Sequence, residues 1–159
     1  MAKNEHRKTG ILTDKQILKM VSEKKGKIAV LECVEDIPCD PCVAACPSQA
    51  LTMDSLTDIP ELIPQKCGGC GLCIAECPGL AIFVIDFDYA PEKAIIMLPY
   101  EFIPLPEKGE KISLLDREGQ VCGEGEIVKV RTHKNKTTVL SVAVPKNKAM
   151  DVRNVRRIT

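Results

Sequence analysis

The sequence predicts an α+β chain in which a cysteine-rich, internally repeated module over residues 28–94 is followed by a small all-β domain over residues 95–159. Three observations predict it. Two cysteine runs recur at a fixed offset of 31 residues. Beyond residue 95 the chain changes to short β-branched runs separated by polar turns, the texture of a small barrel or sandwich. Charge is also segregated, although the formal net charge is zero: residues 1–27 carry net +5, residues 28–94 net −9 and residues 95–159 net +4. Eight of the nine cysteines lie in the acidic middle. Such polarity suggests charged docking surfaces.

Composition excludes several classes. With 45% hydrophobic residues a buried core is feasible. No apolar run approaches the roughly 18 residues of a membrane span. Aromatics are 3% with no Trp, which disfavours base-stacking modules, and neither basic flank is dense enough to argue for nucleic acid. The opening Met1-Ala2-Lys3-Asn4-Glu5-His6 has no apolar stretch, so a signal peptide is not expected. The expected compartment is therefore reducing and cytoplasmic, where cysteines serve as ligands or catalysts more often than as disulfides.

In chain order, residues 1–27 read as a basic helical extension. Thr13 can cap a helix carrying Ile17, Leu18, Met20 and Val21 at helical spacing. Residues 28–33 read as a strand and 33–81 as turn-rich. Residues 82–88 and 94–98 are apolar strands around a turn at Pro91, a hairpin. Pro99, Pro104 and Pro106 punctuate a linker or an irregular extended segment. Strands are then expected over 111–115, 126–132 and 137–144, with turns at 116–119 and 133–136. Of these, 111–115 and 137–144 are expected at sheet edges, open to a partner. His6 and His133 fall in polar segments and are assigned no role.

The chemistry lies in the repeat. Cys39-Asp-Pro-Cys42-Val-Ala-Ala-Cys46-Pro47-Ser-Gln-Ala50-Leu51 aligns with Cys70-Gly-Leu-Cys73-Ile-Ala-Glu-Cys77-Pro78-Gly-Leu-Ala81-Ile82. With Cys67, the second copy reads Cys-x2-Cys-x2-Cys-x3-Cys-Pro, the bacterial iron–sulfur run whose fourth cysteine reaches to the other cluster. Cysteines two residues apart on a tight loop converge on one cubane, and the loop aims backbone N–H groups at the sulfurs. Gly68, Gly69 and Gly71 permit that close wrapping.

On these motifs residues 28–90 resemble dicluster bacterial-type ferredoxins. The resemblance implies a βαββαβ-like, pseudo-two-fold ferredoxin-like module holding two [4Fe–4S] clusters. The first copy departs from the pattern: Asp36 stands where the second has Cys67, and Cys33 lies three residues earlier. Cys33 through a longer loop, Asp36, or a three-iron cluster would each account for this. The favoured assignment is Cys33, Cys39, Cys42 and Cys77 for one cluster and Cys67, Cys70, Cys73 and Cys46 for the other. Paired CxxC motifs could instead hold zinc, but zinc does not need this run with its crossed ligands. Cys122, alone among glycines, reads as a small core residue.

No GxGxxG, P-loop, GxSxG or His/Asp constellation is present, and Tyr89 and Tyr100 have no evident catalytic partners, so no catalytic residue is assigned. The expected function is one-electron transfer by an iron–sulfur subunit within a larger oxidoreductase. The alternatives are a free soluble dicluster ferredoxin, or clusters used as structural staples or sensors. The segment Cys33-Val-Glu-Asp-Ile-Pro-Cys-Asp-Pro-Cys42 also resembles small ferredoxin-like subunits of multicomponent flavin-dependent amino- and imino-acid dehydrogenases of the proline/hydroxyproline type. That resemblance implies flavin-containing oxidoreductase subunits as partners in a hetero-oligomer, with neither nucleic acid nor a membrane span.

Overall fold

The structure, a computed structural model, describes residues 5–13, 15, 16, 21 and 25–158. The helix expected after Thr13 lies mostly outside the described residues. Its start is visible: Gln16 Oε1 accepts from the Thr13 backbone N–H at 2.9 Å, half of a capping box. A short helix α1, Glu5–Thr9, precedes it. His6 is buried there, its Nδ1 3.0 Å from Gln16 Nε2, a packing role in a segment expected to be an exposed polar arm.

The order of elements from residue 27 is β1 (Lys27–Leu31), α2 (Pro41–Ala45), β2 (Leu51–Thr52), β3 (Glu61–Leu62), α3 (Leu72–Glu76) and β4 (Ile82–Asp86). Then come β5 (Lys93–Tyr100), β6 (Lys111–Leu115), β7 (Val121–Thr132), β8 (Thr138–Pro145) and β9 (Asn154–Arg157). The first six read strand, helix, strand, strand, helix, strand. Seven strands form one antiparallel sheet in the order β1-β4-β5-β8-β7-β6-β9, and β2 and β3 form a separate pair. The 82–98 hairpin forms as β4 and β5. The protein is mostly sheet with few helices, an α+β fold.

The sheet runs without a break through residue 94/95, which falls inside β5. Pro99 and Tyr100 belong to β5 rather than to a linker, held by pairing with Val139 and Thr138. Two other expectations are corrected. Strand β6 lies between β7 and β9, and β8 between β5 and β7, so neither is an edge; the edges are β1 and β9. Strand β7 begins at Val121, five residues earlier than its apolar pattern suggests, because residues 121–126 pair with β6. Gly125 permits this: a Cβ there would stand 2.8 Å from both Ala143 O and Leu114 Cδ2.

Alternation divides the sheet's two faces. Ile28, Val30, Phe83, Ile85, Ile96, Leu98, Ile112, Leu114, Ile127, Leu140 and Val142 form one apolar core on the first face. Ala29, Ile82, Val84 and Val139 meet α2 and α3 on the second. Strands β1 and β4 are buried on both sides, which is why they read as unbroken apolar runs. Side chains tie the two edges of the sheet together. Glu32, just past edge strand β1, accepts from Arg153 Nε at 2.6 Å and from Arg117 Nη2 at 2.6 Å. Arg153 immediately precedes the opposite edge strand and lies over the Phe83 ring at 4.8 Å.

Candidate metal centre

The sequence repeat is a repeat of geometry. Helices α2 and α3 begin 31 residues apart, and each ends at a cysteine with near-identical backbone angles: Cys46 at φ −78°, ψ 107° and Cys77 at φ −72°, ψ 111°. Three residues on, Gln49 and Leu80 share a φ of 52°. The turns then return an amide to each sulfur: Ala50 N–H donates to Cys46 Sγ at 3.2 Å and Ala81 N–H to Cys77 Sγ at 3.5 Å. Strand pairing obeys the same operation. Leu31 pairs with Ile82, and its counterpart Leu62 pairs with Leu51. The first strand of each copy thus pairs with the last strand of the other, a pseudo-two-fold arrangement that crosses the copies over.

That crossover sorts the cysteines. One cavity is lined by Cys33, Cys39, Cys42 and Cys77; a second is lined by Cys67, Cys70, Cys73 and Cys46. In each, three cysteines come from one copy and the fourth from the other. Asp36 lines neither cavity and is ion-paired with Arg7. Cys122 is also outside both, half-buried against the sheet core, where burial raises its thiol.

The Cys67–Cys73 loop is pressed onto the sheet. Gly69, at φ +65°, sits where a Cβ would come within 2.4 Å of Lys27 Cβ. Gly71, at φ +79°, precedes α3 and leaves room for the Met97 methyl, 2.5 Å from where its Cβ would be. No other residue type combines these dihedrals with this approach. The close wrap lets Ala29 N–H, on β1, donate to Cys67 Sγ at 3.4 Å.

Electrostatics test whether a cationic group fits. Burial pushes the Cys73 thiol up to about 12, with Cys70, Cys67, Cys42 and Cys46 adding to it. Burial, with Cys77 next, pushes Cys42 up to about 11. Cys39 is raised by burial, then by Cys77 and Cys33. Cys46 runs the other way: burial raises it, but hydrogen bonds from Ser48, Ala50 and Leu51 outweigh that and leave it below the ordinary thiol value. Crowded thiols of this kind ionise together only when a cation balances them, so the donor set fits iron. They line cavity walls: among the described residues, no three His, Cys, Asp or Glu close on one ion position.

Two supporting contacts escaped the sequence reading. Glu32, next to Cys33, is held by Arg117 and Arg153 from the far end of the chain. Asn135 Nδ2, in the β7–β8 turn, donates to Ala75 O of α3 at 2.7 Å and satisfies a carbonyl that the short helix leaves open. Both are polar residues outside helices and strands, and only the fold brings them to the cysteines.

A polyferredoxin-like subunit of an aliphatic sulfonate oxidoreductase from Pyrococcus furiosus is 45% identical over 47 residues, 30% of this chain and 27% of that protein. Protein Pixie of Drosophila melanogaster is 26% identical over 140 residues, 77% of this chain and 22% of its own length. The chain thus spans about a quarter of the length of these relatives. No solved structure matches it. Among the described residues no helix is long and apolar enough to cross a membrane. Residues 32–81 match the family described as 4Fe-4S dicluster domain, which supports an iron–sulfur, ferredoxin-type domain over this part of the chain.

Proposed function

We propose that the chain is an electron-transfer subunit that holds two [4Fe–4S] clusters and relays single electrons between redox centres of a larger oxidoreductase. The observation that carries this is the sorting of eight cysteines into two four-cysteine cavities, each completed by a cysteine of the other repeat. Cys33, Cys39, Cys42 and Cys77 would hold one cluster, and Cys67, Cys70, Cys73 and Cys46 the other. Such groups, when bound, accept and release one electron at a time. The chain's own residues supply a shell that excludes water and donates hydrogen bonds. The N–H groups of Ala29, Ala50 and Ala81 point at sulfurs, which favours added negative charge there.

A subunit role is supported by a groove of about 690 Å³ lined by Tyr100, Phe102, Ile103 and Ile158 beside open edge strand β9. Ile103 is 91% exposed and Phe102 60%. Partners of the flavin-dependent amino- or imino-acid dehydrogenase type fit the Cys33–Cys42 resemblance. The acidity of residues 28–94 favours a second reading, a free ferredoxin that docks by surface charge. Anaerobic purification with iron, sulfide and zinc analysis and EPR tests the cluster reading. The expected result is iron and acid-labile sulfide at about eight each per chain, with two reducible signals. Stoichiometric zinc without sulfide would refute it.

A further inference from the structure

The register of β7 carries a basic stripe onto the face that holds the cysteines. Lys129 pairs with Ser141 and Arg131 with Val139, so both side chains share the second face with Met97 and Val84. They form one wall of a cleft of about 430 Å³. The floor is apolar: Val84, Ile95, Met97 and Val139. The opposite wall is the loop Gly68-Gly69-Cys70. Of the nine cysteines Cys70 alone is exposed, so this cleft gives outside molecules their most direct approach to the second four-cysteine cavity.

The charges say what enters. Lys129 and Arg131 are exposed, and among the described residues neither is ion-paired. Lys27, across the cleft, shares Asp86 at 3.8 Å. The surrounding module carries net −9, so the two unpaired cations of this wall stand out as a place where an acidic molecule would be attracted. A pocket built for a small anion would converge buried donors on one point. Here the cations stand at alternate strand positions, about 7 Å apart, and face solvent. That spacing matches carboxylates spread over a protein surface.

Resting on the iron–sulfur reading, we propose that this cleft is the electron-exchange port of the cluster at Cys46, Cys67, Cys70 and Cys73, and that its occupant is an acidic redox protein. Its carboxylates face Lys129 and Arg131 while its redox group approaches Cys70 over the Val84–Met97 floor. Each transfer oxidises the reduced chain by one electron and reduces the carrier by one, with any proton the carrier needs drawn from water.

The test uses the whole iron-loaded chain and, as probe, an acidic flavodoxin. Zero-length carbodiimide crosslinking of the two oxidised proteins should join flavodoxin carboxylates to Lys129 or Lys27. At low salt, the dithionite-reduced K129E/R131E double variant should reduce flavodoxin at least about tenfold more slowly than the parent. It should reduce the cation hexaammineruthenium(III) at least as fast, with iron content and EPR unchanged; K129Q/R131Q should fall between. Wild-type rates in the double variant, or crosslinks confined to lysines outside the cleft, would overturn the proposal. Crosslinks at Lys129 in a chain lacking reducible iron would instead overturn the iron–sulfur reading and leave the basic docking surface standing.

Discussion

Glu32 shows how single residues far from the repeat hold it in place. Its carboxylate, 12% exposed, lies between Arg117 and Arg153, whose side chains are 11% and 5% exposed. Burial pulls the Arg153 guanidinium down to about 10, opposed by Glu32. Two buried guanidinium groups without their carboxylate are costly: breaking such a pair typically costs about 3–5 kcal/mol. Glu32→Gln should therefore lower the denaturation midpoint substantially. Because Cys33 is the next residue, the variant should lose the signal of the first cluster before that of the second; equal loss of both would separate Glu32 from Cys33. The atypical ligand has its own test. Cys33 lines the first cavity while Asp36 is taken up by Arg7. Cys33→Ser should destroy or convert one cluster and spare the other, and Asp36→Asn should change neither iron content nor EPR. Two intact [4Fe–4S] signals in Cys33→Ser would return the assignment to Asp36 or another donor.

At the scale of elements, the cysteine-bearing segment is thin in secondary structure. Helices α2 and α3 have five residues each, and β2 and β3 two each. Helices of that length are not stable by themselves. Cluster binding should supply much of the folding free energy of residues 33–81, as metal does in small metallodomains. The sheet has its own core of fully buried Ile, Leu and Val on its first face. Removing iron should expose residues 33–81 to protease while fragments spanning β5 to β9 stay protected; protection of 33–81 unchanged by iron removal would refute this. The same contrast explains what could be read in advance. The cysteine spacing, the 82–98 hairpin and the turn at 133–136 are local, set by residues within one or two turns of chain. Strand β9 escaped because Asn154-Val-Arg-Arg157 has one apolar residue, and its pairing is dictated by β6. The edge assignments failed because the insertion of β8 between β5 and β7 is a long-range choice that no local pattern encodes. The Asn135 and Arg153 contacts were hidden likewise, since a polar residue between elements shows its partner only after folding.

For the whole molecule, two surfaces of opposite character frame the test of subunit against free carrier. The cleft beside Cys70 is rimmed by unpaired charge and suits an encounter that forms fast and dissolves in salt. The groove beside β9 is lined mainly by apolar side chains, with Asn154, Arg156 and Arg157 among them; Phe102 lies edge-on to Tyr100 at 5.6 Å, and Ile103 and Ile158 are open to solvent. Contiguous apolar surface beside an unpaired strand edge is an aggregation hazard unless something covers it. Permanent subunit interfaces are large and hydrophobic and resist salt. A chain built this way would keep one partner at β9 and exchange electrons with another at the cleft. Expressed alone it should be poorly soluble; expressed with its genomic neighbours it should co-purify with a flavin-containing subunit through high salt. Ile103→Glu with Phe102→Glu should abolish that co-purification, improve solubility of the isolated chain and leave iron content unchanged, because neither residue touches either cysteine cavity. A soluble monomer that binds no neighbour and reduces many acceptors, with rates collapsing in modest salt, would decide for the free ferredoxin.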